Sequence, residues 1–407
     1  MTAVLPNLFK GIALVIDNSI GKESEIDKIL ANITASGGHY ISMAALPADD
    51  YDLEHLSRVS FFIMDWNLKD DDLEPGVKLP DAVQKEMAAE NIAFLKRLSG
   101  NRHAPVFIFT NEVPDTVVEY LSADPELLRS IEESHILVKS KADVMDKLYE
   151  VLEEWAKETP SVLTLKSWER GYLRAANDLF IDLHNRTTYW PVLMWQTFSD
   201  DEVPPEFEMA KLLNRLVESR MGPLELDLKP YLNAAEERRK ADEAKYRESM
   251  YKVLEGERFL REERLTKELY APGDLFAFPV DDGTSYWLNL RAECDCLRGG
   301  SDLELYLLKA QPVLDAEAKI DPKFGTFLGE KDNEAIIFAM VGGTTFSIKF
   351  KDMKIKTLKQ IGKQSGERVG RLLPPFITRV QQRYAAYVER PGLPRIPAAM
   401  RIEEQAA

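Results

Sequence analysis

The chain runs to 407 residues, more than one ordinary domain carries, and its 45% hydrophobic and 29% charged residues describe a globular protein rather than a disordered one. The 52 Lys and Arg against 68 Asp and Glu leave a net charge of −16, which argues against a general nucleic-acid binder, because that needs surplus cations to neutralise phosphates. No apolar run approaches the roughly 18 residues of a membrane span, residues 1–10 lack the pattern of a secretory leader, and two cysteines give no disulfide framework, so a soluble cytoplasmic protein with no membrane partner is expected.

Residues 1–157 alternate short apolar runs with amphipathic stretches, the pattern of strands and helices around a parallel sheet. Strands are expected at 12–16 (IALVI), 40–45, 59–64 (VSFFIM), 105–109 (PVFIF) and 135–138 (HILV). Helices are expected at 23–35, weakly at 53–57, at 84–98, and at 142–157, where Val144, Leu148, Val151 and Trp155 share one face. The acidic, proline-containing stretch 69–80 reads as an insertion. The expectation is a doubly wound α/β domain with a five-stranded parallel sheet.

Residues 158–270 read as a helical middle region, with helices at 163–184 and 206–221 and a long charged one at 233–265. On the last, Tyr246, Met250, Val253 and Leu254 are candidates for a homodimer seam. From 271 to 407 the pattern turns to short strands at 275–280, 286–292, 304–308, 334–340 and 344–350, separated by Asp282–Gly283, Gly299–Gly300 and Gly342–Gly343. A small β-rich barrel or sandwich with a terminal helix at 375–388 is expected, followed by an extended tail at 390–397.

Ligands of a parallel α/β sheet collect outside the carboxyl ends of its strands. On the expected strand ends stand Asp17 and Asn18 after the first, Asp65 after the third, Thr110 after the fourth and Lys139 after the fifth. Each residue type alone is common in turns and caps; the ordered set of carboxylates, hydroxyl and ammonium is the specific signal.

That set, with the stretch Met64–Asp65–Trp66–Asn67–Leu68, resembles the receiver domain of two-component signalling over about residues 9–157. The resemblance implies a flavodoxin-like fold and phosphorylation of Asp65 by a cognate histidine kinase. It implies Mg²⁺ held by Asp17, Asp65 and the backbone carbonyl of Asn67, with Thr110 bonding the phosphoryl group and Lys139 pairing with it. Mg²⁺ and an ammonium would neutralise the charge that gathers as a carboxylate approaches an anionic phosphorus. Asn18 stands where the family has a second acid, and Ser140 where it has a proline.

The leading expectation is a response-regulator-like phosphoacceptor, a signalling module or phosphate reservoir, with no catalysis beyond its own phosphorylation and dephosphorylation. By analogy with receivers joined to unusual modules, an antiphage phosphorelay is the implied context. Protein partners are expected on the face near 113–121 and 138–146. Two alternatives stay open: a pseudo-receiver adaptor that binds protein without phosphotransfer, and an enzyme hidden in the β-rich region and switched by the receiver. Cys294 and Cys296 have no second Cys pair or nearby His and read as structural thiols. His184 beside Asp182 reads as an ordinary histidine, and the basic stretch 349–371 as a docking patch, with the acidic insertion as its candidate partner.

Overall fold

A computed structural model describes residues 9, 11–56, 58–68, 80–101, 104–127, 136–224, 226–321, 323 and 334–390. Most of the acidic stretch 69–80 and of the tail 390–397 falls outside these, as do residues 1–8 and His135. The chain is α/β overall and divides into two compact units: Met1–His184 with Arg215–Tyr231, and Asn185–Asn214 with Leu232–Ala407.

The first unit is built on a parallel sheet of β1 (Ile12–Ile16), β2 (His39–Met43), β3 (Val59–Met64), β4 (Val106–Thr110) and β5 (Ile136–Ser140), in the order β2-β1-β3-β4-β5. Side chains of a strand point alternately to its two faces. Ala13, Val15, Phe61, Ile63, Phe107 and Phe109 therefore pack on one side against α1 (Ser24–Ala35) and α5 (Leu148–Glu158). Leu14, Ile16, Phe62, Met64, Val106 and Ile108 pack on the other against α2 (Asp81–Asn101) and α3 (Pro114–Ser122). Burial on both faces explains why the central strands are continuously apolar. The helix expected at 142–157 is broken into a single turn, α4 (Lys141–Val144), and α5. The unit also takes in α6 (Pro160–Arg186) as far as His184, and its Val162 and Leu163 join the α1–α5 side of the core.

Strand β5 runs two residues further than its apolar run suggested, through Lys139 and Ser140, because both pair in register with Phe109 and Thr110 of β4. An edge strand tolerates such polar residues, since one of its sides meets solvent.

In the second unit, β6 (Phe259–Arg261), β7 (Asp274–Val280), β8 (Gly283–Asn289), β9 (Glu304–Pro312), β10 (Glu334–Met340), β11 (Thr344–Thr357) and β12 (Glu367–Leu372) form one curled antiparallel sheet, ordered β10-β11-β9-β8-β7-β12-β6. The β-rich region expected here is thus one curled sheet, and among the described residues the edge strands β10 and β6 are not paired to each other. Irregular register between Lys349 and Met353 in β11 and between Arg368 and Gly370 in β12 lets such a sheet bend. One face carries Leu275, Leu288, Leu308, Phe346 and Ile348 with Ile377 and Val380 of a closing helix, Phe376–Glu389. The other carries Phe276, Phe278, Trp287, Leu305 and Leu307 with Ile361.

The long charged helix expected at 233–265 stops and restarts at Asp242, whose carboxylate accepts from the backbone N–H of Lys245 and caps the helix Glu243–Arg258. Much of the basic stretch is used inside the unit. Arg368 donates to Glu262 at 2.6 Å and to the carbonyls of Leu269 and Thr266, and Arg371 donates to Asp274 at 2.6 Å. Lys354 lies over the Trp287 ring.

Asp274 is fully buried and faces both Arg371 and, at 3.6 Å, Arg368. Removing one member of a buried ion network leaves the others uncompensated, at a cost of ~3–5 kcal/mol. Asp274→Ala should therefore lower the unfolding free energy of the second unit by that amount in urea equilibrium unfolding; an unchanged free energy would show that the network adds no net stability.

Candidate functional site

Strand order reverses around β1, so the crevice for a ligand lies beyond the carboxyl ends of β1 and β3. Ile16 and Met64 are register partners there, which sets Asp17 and Asp65 side by side. Both stay tied to the ladder: the Asp65 N–H donates to the Ile16 carbonyl at 2.8 Å and the Asp17 N–H to that of Met43 at 2.9 Å. The loop after β3 is fixed from below. Trp66 is buried and stacked on Tyr120, and the Asn91 amide on α2 donates to the Trp66 carbonyl at 2.7 Å.

The ammonium at the centre of the site belongs to Lys141, not Lys139. Lys139 lies inside β5 and is exposed. Because the strand continues to Ser140, the first residue beyond its end is Lys141, which opens α4 and is fully buried. Its Nζ lies 2.8 Å from Asp65 Oδ2, 2.9 Å from Asp17 Oδ2 and 2.7 Å from Glu23 Oε2. The expected pairing of Lys139 with the site is corrected accordingly.

Thr110 is buried as the last residue of β4, and its hydroxyl accepts from the Glu112 N–H at 3.0 Å. The Asn67 N–H approaches Asp65 Oδ1 at 3.3 Å, and its side-chain amide approaches Glu112 at 3.4 Å. The structure thus gathers Asp17, Asp65 and Asn67 at one rim, with Thr110 at the end of the adjoining strand, and leaves Lys139 outside.

Glu23 carries no local sequence signal of a site residue, since an acid at the start of a helix is ordinary. It precedes α1 without capping it, and its side chain reaches Lys141 instead, with the other carboxylate oxygen accepting from Asn111. The sequence carried two lysines, at 139 and 141, and only the β4–β5 register separates them.

Burial pushes the Asp65 carboxyl up to about 7; the Lys141 ammonium opposes that rise, and the neighbouring Asp17 carboxylate adds to it. Burial also pulls the Lys141 ammonium toward its neutral form, but Asp65 and Asp17 outweigh it and raise its pKa above the ordinary lysine value.

Among the described residues, no group of three or more His, Cys, Asp or Glu side chains is arranged as a metal site. A hard cation at this rim would therefore rest on Asp17 and Asp65, backbone carbonyl oxygen and water, which suits Mg²⁺. Two observations fit it. With Asp65 ionised, three carboxylates face one ammonium. Both side-chain amide atoms of Asn18, beside Asp17, are buried without a hydrogen-bond partner.

Cys294 is exposed and Cys296 buried, with its thiol pushed up to about 11 by burial. Asp182 is held by Arg220 at 2.7 Å, while His184 stacks on Phe180. No family model matches the chain, and no curated protein matches it. No helix among the described residues is long and apolar enough to cross a membrane.

The native Asp65 carboxyl keeps its proton to about pH 7, whereas a carboxyl with the ordinary value of 3.8 releases it far earlier. The folded state then binds more protons, so this group's contribution to stability is present below about pH 4 and is lost as pH rises through 7. Asp65→Asn cannot ionise and should gain on the wild type by up to about 1.4 kcal/mol per pH unit across that window. Unfolding free energies of the two proteins at pH 5 and pH 8 check this; a gap that narrows toward pH 8 would contradict it.

Proposed function

We propose that the first unit is a receiver domain of the flavodoxin-like class and that Asp65 accepts a phosphoryl group from a partner histidine kinase. The observation that carries this reading is the buried ammonium of Lys141, held within 3 Å of the carboxylates at the ends of β1 and β3. The 2-1-3-4-5 strand order supports it.

In the transfer, an oxygen of the ionised Asp65 carboxylate forms a bond to phosphorus. The P–N bond of a phosphohistidine breaks, and the imidazole leaves with the electron pair and takes up a proton. Lys141 holds the attacking carboxylate and balances charge on the transferring group. Thr110, at the end of the adjoining strand, offers a hydroxyl that can rotate to donate to the new anion, giving up the contact it accepts from Glu112. Asp17, Asp65 and the Asn67 carbonyl would hold Mg²⁺, which supplies charge neutralisation between carboxylate and phosphoryl oxygens. A dianion at Asp65 would favour a state in which Thr110 and the loop behind it close inward, which alters the surface around α3, where Val113 is exposed.

The pseudo-receiver reading keeps one specific support: Asn18 takes the place of a second acid, so the cation site has one charge fewer than the family's.

Incubation with Mg²⁺ and acetyl phosphate, followed by intact-mass measurement, tests the proposal. One phosphoryl group should be gained, and none by Asp65→Asn or after chelation of Mg²⁺. No gain at any Mg²⁺ concentration would remove phosphotransfer and leave the adaptor.

A further inference from the structure

We infer that Glu23 is a built-in anion that occupies the phosphoryl-binding corner of the site and must be displaced before Asp65 can be modified. The inference rests on the phosphoacceptor reading above and adds a means of control to it.

Glu23 sits at the amino end of α1 in extended conformation, yet its side chain makes no capping bond to the helix. Its carboxylate instead spans two groups on other loops. One oxygen lies 2.7 Å from Lys141 Nζ, and the other accepts from the side-chain amide of Asn111, the residue after Thr110. Lys141 and the start of the β4–α3 loop are the groups that the proposed transfer needs for the phosphoryl oxygens. An acidic side chain bridging them is therefore an internal competitor with the charge and donor preference of the incoming anion.

Accessibility separates Glu23 from the other carboxylates. The side chains of Asp17 and Asp65 are 1% and 6% exposed, whereas that of Glu23 is 21% exposed and Asn111 lies at the surface. Glu23 can swing into solvent, where the cost of losing its contacts is offset by hydration; the two aspartates cannot.

The same contact links site occupancy to the rim. While Glu23 bridges Lys141 and Asn111, it ties the foot of α1 to the β4–α3 loop and to the start of α4. A dianion on Asp65 repels the Glu23 carboxylate and claims Lys141, which releases the tie. Modification would then be felt at three loops at once.

Two variants of the full chain test the latch, with acetyl phosphate as donor and the initial labelling rate read by intact mass. Glu23→Ala removes the anion, and it spares the helix cap because the side chain makes none. Asn111→Ala leaves the charge but cuts the second anchor. The latch predicts that both label faster than wild type, by about fivefold or more, the lower end of ordinary site-to-site coupling. Acceleration in Glu23→Ala alone would mean that only the local field matters, and equal or slower rates in both would mean that Glu23 supports the site; either overturns the latch while leaving the phosphoacceptor reading intact. Failure of all three proteins to label overturns the phosphoacceptor reading instead. Calorimetric titration with inorganic phosphate then decides the latch: tighter binding by both variants upholds it, and equal binding overturns it.

Discussion

A lysine side chain fully enclosed by protein and touching three carboxylates is the constraint around which the first unit is arranged. At 2.8 Å and an effective dielectric near 20, each such pair attracts by about 6 kcal/mol. Burial of each ion costs several kcal/mol in the opposite direction. The two effects nearly cancel, so the cluster does not exist to stabilise the fold. Plain hydrophobic packing would do that more cheaply. Such a set of charges at a strand-end rim leaves Asp65 titrating near neutral pH, the kind of perturbed group that marks a candidate functional site.

The fold supplies that site with little help from the loops. Alternation along β1, β3 and β4 sends successive residues into two separate cores, which clamp the strands from both sides. Whatever follows the last buried residue must then emerge at the rim. Asp17 and Asp65 are fixed in this way, with their N–H groups still bonded to neighbouring strands. Asn91 and Trp66 hold the loop after β3 in place. The second unit shows the same economy in another form, since its buried Asp274 and Arg368, with the partly buried Arg371, join strands to the segment before them.

The parallel sheet was legible because its central strands are uninterrupted apolar runs, and the two aspartates and the threonine were legible because each directly follows or ends one. The lysine was not. A run of three apolar residues before Lys139 suggests a strand that stops there, and only the pairing of Ser140 with Thr110 shows that it continues. Glu23 escaped for a different reason: an acid at the start of a helix is ordinary, and nothing local says that it turns away from the helix to meet a residue more than a hundred positions later. The C-terminal sheet was read as short strands with turns, but whether such strands close into a barrel depends on pairings between residues far apart, which spacing alone does not carry. Strand β12 was hidden in a basic stretch because its arginines are neutralised by Glu262 and Asp274, well outside any sequence window.

The most direct measurement compares equilibrium unfolding of Lys141→Met and Lys139→Met at pH 8 and pH 5. Loss of the buried ammonium strands Asp17 and Asp65, so Lys141→Met should lose ~3–5 kcal/mol at pH 8. It should recover part of that loss at pH 5, where Asp65 can take up a proton, whereas Lys139→Met should match the wild type at both values. Equal behaviour of the two variants, or a larger loss at position 139, would contradict the account.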